Sequence, residues 1–259
     1  MKQYDYIFSI GEACLCASAL RILGLRDFSG PFDWLFGATI IERIDIMINE
    51  FENYFNKEDL IFNSQRKDQK PNDIYYNTRT KIIFNHDFPI DGLFDVSYPK
   101  IKEKYDRRIS RIISILKSKK PVLIVFMELP DETINGIKSI DELTKSLNKL
   151  QTKFNNKNID ILYIKHDTNM KDGEYTINKI TQNITIGSCF NKNRKNNDLL
   201  NINNIKVFFK DIKFKHKKIN KLKNYLKKRI HKFCNIFYKK KMRNNILYNR
   251  IFGIYFKVK

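Results

Sequence analysis

The sequence predicts an α/β fold, a three-layer sandwich with a mostly parallel sheet, followed by a basic helical C-terminal tail. Three observations predict it. Pro121–Met127 is apolar throughout and Ile159–Ile164 nearly so, the signature of strands buried on both faces of a parallel sheet. Around them lie stretches with apolar residues every three or four positions, as amphipathic helices require. Strand and helix patterns alternate along the chain, the order of βαβ units.

Each element follows from its own residues. Tyr4–Ile10 is a short apolar and aromatic run that reads as a buried strand, broken by Gly11. Ala13–Leu23 carries helical spacing and ends before Gly24, a suitable C-cap. Phe28–Gly37 is aromatic and rich in turn residues, and a helix is expected from Thr39 to Phe51. Residues 58–80 are polar and read as an irregular excursion or lid. Lys81–Phe84 is a short strand candidate, and Ile101–Lys117 a helix with Ile109, Ile112, Ile113 and Leu116 on one face. After Pro121–Met127 come a helix over Ile140–Phe154 and the strand Ile159–Ile164. Asn183–Ile186 and Ile205–Phe209 are weaker strand candidates.

The chain has 259 residues, enough for one full domain with an appendage. Its charge divides it. From Lys206 to Lys259 there are 19 Lys and Arg against the single acid Asp211, whereas residues 1–205 carry 30 basic and 27 acidic side chains. The expected organisation is therefore an α/β domain over 1–205 and a basic tail over 206–259. Four unevenly spaced cysteines, Cys14, Cys16, Cys189 and Cys234, argue against a disulfide framework and for a reducing compartment. No signal-peptide pattern and no uncharged run of about 18 residues is visible, so a cytoplasmic protein is expected.

The chemistry-bearing residues are few. Cys14 falls in the first turn of a predicted helix, where unpaired N–H groups and the dipole favour a thiolate. A nucleophilic thiol needs a base working near neutral pH, and His86 is the natural one, His166 being the other histidine of the body. Asp87, Asp33 and Asp95 are candidate orienters of its ring. Ordinary burial of Cys14 and Cys16 is the competing reading. A zinc site from Cys14, Cys16 and His86 lacks the usual ligand spacing, and no Gly-rich phosphate loop is present; neither a metal nor a cofactor is expected. His166 and Asp167, like Cys14, follow a predicted strand and would meet at the carboxyl edge of a parallel sheet. With Gly11 at the first turn, and Asp33 and Trp34 in an aromatic–acidic turn suited to a sugar or acyl group, they form the candidate ligand-binding set.

These residues carry a resemblance. Ser9-Ile10-Gly11-Glu12-Ala13-Cys14, the Leu-rich stretch to Leu25 and Ser29-Gly30-Pro31-Phe32-Asp33-Trp34 resemble the start of the bacterial and viral family labelled putative papain-like cysteine peptidases, a domain of unknown function. Asn85-His86-Asp87-Phe88 and the helix Tyr105–Ile113, with Arg107, Arg108 and Arg111, resemble its later motifs in the same order. The resemblance covers residues 3–130. It implies Cys14 as nucleophile and His86 as general base, and it offers an alternative fold: papain-like α+β, with the cysteine on a helix and the histidine on an antiparallel sheet. The expected activity is thiol-dependent hydrolysis or acyl transfer on a small-molecule, glycan, lipid-linked or peptide substrate, with N–H groups around Ala13–Leu15 stabilising the oxyanion. The rival expectation is a non-catalytic glycan- or ligand-binding protein.

In the tail, Ile219, Leu222, Leu226, Ile230, Phe233 and Phe237 recur at helical spacing among Lys and Arg. A helix or two over Lys213–Lys241 is expected, lying on an anionic membrane surface such as the inner face of a membrane. Nucleic acid is the lesser alternative, since no recognised binding motif is present.

Overall fold

The computed structural model describes residues 2–66, 72–90, 92–129, 137–191 and 201–215, and the backbone of 238–243, 246–251 and 254–257. The chain divides into two units, Met1–Lys215 and His216–Lys259. The first is a mixed α/β unit with several sheets and, among the described residues, five helices.

Its five-stranded sheet has the order β2 (Tyr6–Ser9), β7 (Val122–Met127), β8 (Ile159–His166), β10 (Ile184–Cys189) and β9 (Tyr175–Lys179). The first three pairings are parallel and the last is antiparallel. All six β7 residues are buried, which is why that run needs no polar alternation. Successive β7 side chains point to opposite faces and join two different cores. Val122, Ile124 and Phe126 pack in one core with α2 (Ile40–Ile48), α3 (Phe94–Lys117) and α4 (Ile140–Lys153). Leu123, Val125 and Met127 pack in the other with α1 (Leu15–Ile22) and the segment Ile202–Phe214.

That segment corrects one expectation. Ile205–Phe209 is not a strand: it spans the end of α5 (Ile202–Ile205) and the 3-10 turn Lys206–Phe209. The turn lays the Phe208 ring on the backbone of Gly187, where any Cβ would collide with it. β11 (Ile212–Phe214) then pairs in parallel with β1 (Lys2–Tyr4).

A second sheet is wholly antiparallel, in the order β3 (Leu35–Phe36), β6 (Ile83–Pro89), β5 (Asn72–Asn77) and β4 (Leu60–Arg66). Most of the expected irregular excursion over 58–80 is therefore strand, and Lys81–Phe84 leads into this sheet rather than the parallel one. An antiparallel sheet needs only one buried face, here marked by Leu60, Tyr75, Phe84 and Phe88, so its strands stay polar enough to read as loop.

Two helix starts are set by local chemistry. Thr39 and Glu42 form a reciprocal capping box at α2, and Ser139 caps α4 by accepting from the Glu142 N–H.

In the second unit, β12 (Tyr238–Arg243), β13 (Ile246–Ile251) and β14 (Ile254–Lys257) form an antiparallel sheet, with Tyr238 opposite Ile251 and Ile251 opposite Ile254. The helix expected over Lys213–Lys241 falls largely on residues 216–237, outside the described ones. At both of its ends the backbone is strand, a correction that suits the aromatic and β-branched content from Tyr238 onward. Among the described residues, no helix is long and apolar enough to cross a membrane.

Candidate functional site

The site begins where β2 ends. Ile10 extends the ladder by donating to the Val125 carbonyl at 2.9 Å, after which Gly11, Glu12 and Ala13 turn the chain into α1. Gly11 is required sterically, since a Cβ there would stand 2.5 Å from the Cys16 Cβ and 3.0 Å from the Met127 nitrogen. The structure thus gives Gly11 a packing role. Ala13 takes a left-handed φ of +49°, a strained conformation for a residue with a side chain. Cys14 then stands at the N-cap of α1, half-buried, while Cys16 and Cys189 are buried. Burial pushes both of those thiols up to about 12, and Cys16 donates to the Val125 carbonyl at 3.4 Å.

The Cys14 turn is stitched to the second sheet. Ala13 donates to the Leu35 carbonyl at 2.8 Å and accepts from the Trp34 N–H at 3.2 Å. Leu35 in turn lies opposite Phe84 on β6, the strand that carries His86. Two strand spacings, about 10 Å, therefore separate the Ala13 backbone from Phe84. The β5–β6 register shifts between the pairs Tyr75–Phe84 and Asp73–Phe88, so Asn85, His86 and Asp87 lie in the irregular stretch. Such bulges re-aim side chains beside functional sites. Trp34 is half-buried with φ of +73°, and His86 is half-buried too.

A residue that the sequence reading passed over ties these pieces together. Arg43 on α2 is fully buried. It donates to the carbonyls of Ala38 at 3.0 Å, Ile10 at 3.2 Å, Gly11 at 2.9 Å and Gly37 at 2.6 Å. Burial lowers its pKa, and the buried Glu12 carboxylate opposes that shift most strongly. The signal was present: a charged residue on the apolar face formed by Ile40, Ile44 and Met47.

The carboxylates are distributed unevenly. Asp33 is buried, bound to Arg26, and accepts from the Gly30 N–H at 2.9 Å, as a turn-holding residue does. Burial pushes its pKa up against the pull of Arg26 and the Gly30 amide. Asp87 accepts from Lys104 and, at 2.7 Å, from the Tyr105 hydroxyl, both on α3. Asp95 is exposed and pairs with Lys57 at 2.8 Å. Next to His86, the Asn85 Oδ1 is buried with no hydrogen-bond partner.

His166 and Asp167 sit at the end of β8. The buried His166 accepts at Nδ1 from the Asn191 N–H at 3.2 Å, and its backbone N–H donates to Glu128 at 2.9 Å. Glu128 also accepts from the Tyr163 hydroxyl, and burial raises its carboxyl pKa. Its position directly after the apolar β7 run is the signal that sequence reasoning left unused. Asp167 is half-buried and holds a turn by accepting from the Asn169 N–H at 3.0 Å. This group and the Cys14 turn both lie past the carboxyl ends of parallel strands, where open α/β sheets bind ligands. Among the described residues, no group of three or more His, Cys, Asp or Glu side chains is placed to hold a metal ion.

A family model described as putative papain-like cysteine peptidase, a domain of unknown function, matches residues 5–169. The chain belongs to that family. It is also 29% identical, over 189 residues, to the mimivirus protein titled uncharacterized protein R408, from Acanthamoeba polyphaga mimivirus. That alignment covers 66% of this chain and 82% of the viral one. No solved structure matches.

Proposed function

We propose that this member of the papain-like family is a thiol-dependent hydrolase or acyltransferase, with Cys14 as nucleophile and His86 as general base. The sulfur attacks a substrate carbonyl carbon, His86 takes the thiol proton and returns it to the leaving group, and the resulting thioester passes to water or to an acceptor. The observation that carries this reading is the hydrogen-bonded path from Ala13 through Leu35 to the His86 strand. It supports a helix-borne cysteine and a histidine on an antiparallel sheet within reach of one pocket. Because the Ala13 N–H is bonded to Leu35, the oxyanion donors narrow to the first helical amides, Cys14 and Leu15, which no intrahelical carbonyl reaches. Elements on both faces of the five-stranded sheet support a three-layer reading of that part. The half-buried Trp34 ring favours a glycan, lipid-linked or peptide substrate, and the basic tail suits attachment to the inner face of an anionic membrane.

The test is the pH dependence of alkylation, followed residue by residue by mass spectrometry. Cys14 is expected to react faster than Cys234 at mildly acidic pH, and His86→Gln to slow Cys14 about tenfold or more. Equal reactivity of the two thiols, unchanged by His86→Gln, would reject catalysis. In that case Trp34 and its neighbours would be left with the ligand-binding role.

A further inference from the structure

Three arginines outside the catalytic proposal gather around one turn. Arg26, just beyond α1, donates to Ser29 Oγ at 2.9 Å and binds Asp33. Arg111 on α3 donates to the carbonyl of the same Ser29 at 3.4 Å, with its guanidinium 5.3 Å from the Phe28 ring. Arg108, one turn earlier on that helix face, lies 5.6 Å from the Tyr105 ring, and its charge reaches Asp33. Asp33 belongs to the group and Arg26 already holds it, and Asp27 is a second acid of the same turn. The hydrogen bond of Arg111 goes to a carbonyl, while the neighbouring Arg107 pairs with Glu103 at 3.7 Å. Arg26 also keeps a buried Nε with no partner. Its guanidinium is 5.8 Å from the Trp34 ring, and Trp34 is the residue hydrogen-bonded to the Cys14 turn.

Half-buried guanidinium groups gathered beside aromatic rings carry more positive charge than the buried Asp33 balances, and they attract anions. Their planar forks match carboxylate and phosphate oxygens. We infer that Arg26, Arg108 and Arg111 form an oxyanion-binding subsite, and that the substrate of the Cys14 site carries a carboxylate or phosphate away from its reacting carbon. The placement of the subsite rests on the Cys14 reading; its affinity for oxyanions does not.

Two measurements on the full chain separate these parts. In the first, Cys14 is labelled with N-ethylmaleimide and with 3-maleimidopropionate, which differ by a carboxylate held away from the reacting carbon. The ratio of anionic to neutral labelling is expected to fall about tenfold in Arg108→Gln/Arg111→Gln, the size of an electrostatic steering effect, and to stay unchanged in Arg107→Gln. Equal ratios in all three proteins overturn the coupling of the subsite to Cys14. In the second, Cys14→Ser is melted in inorganic phosphate, acetate or chloride at matched ionic strength. Phosphate or acetate should raise the melting temperature, the better ligand naming the oxyanion. That rise should vanish with Arg108→Gln/Arg111→Gln and survive Arg111→Lys. A rise that persists in the double variant, or no rise at all, overturns the subsite. If Cys14 labels slowly with both maleimides yet the arginine-dependent rise remains, the catalytic reading fails and the oxyanion site stands.

Discussion

Arg43 holds Gly11 by a hydrogen bond of 2.9 Å from Nη1 to the Gly11 carbonyl, across 32 residues of sequence. The same guanidinium reaches Gly37, so the turn before Cys14 and the end of β3 share one buried cation. Replacing it with methionine keeps the volume but strips these buried carbonyls of their donors and removes a positive charge that interacts with the buried Glu12. Leaving a buried acceptor without its donor costs about 1–3 kcal/mol, and several are stripped at once. Arg43→Met should therefore lower the urea midpoint strongly, with the slope of the transition unchanged. A loss under about 1 kcal/mol would mean that Arg43 is not the clasp described here.

Gly11→Ala tests the same turn from the steric side. Its Cβ would meet Cys16 and the Met127 backbone, and the latter cannot swing aside. Overpacking of this kind costs about 1–3 kcal/mol. Because the strain enters between β2 and α1, Cys14 labelling should change as well. Gly187→Ala, against Phe208, should destabilise to a similar extent while leaving Cys14 labelling as it was. If both variants altered labelling equally, the effect would be global loosening, not a displaced turn.

The parts of this architecture that declare themselves in sequence are those with one dominant physical demand. β7 needs burial on both faces, so Val122–Met127 is uniformly apolar and legible. α2 and α4 show both their apolar stripe and their capping residues. The antiparallel sheet is not legible, because Leu60–Arg66 and Asn72–Asn77 bury few residues and look like loop. Nor is the site. Cys14 can be placed at a helix start from Gly11 and the spacing that follows, but its link to His86 runs through Ala13–Leu35 and Leu35–Phe84 pairings between segments far apart in sequence. Asp33 and Asp87 look alike as candidates until their partners, Arg26 for one and Lys104 and Tyr105 for the other, are known.

The buried thiols give the first unit an alkaline limit. Cys16 is raised by burial from 9.0 to about 12, so between those values the unfolded chain loses a proton that the folded chain retains. Unfolding is then favoured by rising pH: the contribution is intact below about pH 9 and declines at about 1.4 kcal/mol per pH unit until the folded thiol ionises. Cys189 behaves in the same way. Cys16→Ala should flatten the decline of stability above pH 9 by about one proton, whatever it does to stability at neutral pH. Denaturant titrations at pH 8 to 10.5 read that slope directly; identical slopes would mean that Cys16 is not held neutral.

The tail makes the last prediction. Residues 206–259 carry 19 Lys and Arg and one acid, while residues 1–205 are close to neutral, so most of the net charge of +21 belongs to the tail. Basic residues near an anionic leaflet contribute on the order of 1 kcal/mol each, and a dozen would hold the chain at a membrane without a spanning segment. The described strands of the second unit replace the expected helix there and leave the charge of the tail as it is. The full chain should co-sediment with vesicles containing phosphatidylserine and leave purely phosphatidylcholine vesicles in solution. Raising salt from 0.05 to about 0.5 M should release it as the Debye length shrinks to a few ångströms. A chain ending at Lys215 should lose the binding, because the first unit contributes little net charge. Binding to neutral vesicles that resists salt would replace electrostatic attachment with insertion of the apolar residues, and equal binding by both chains would remove the tail from any membrane role.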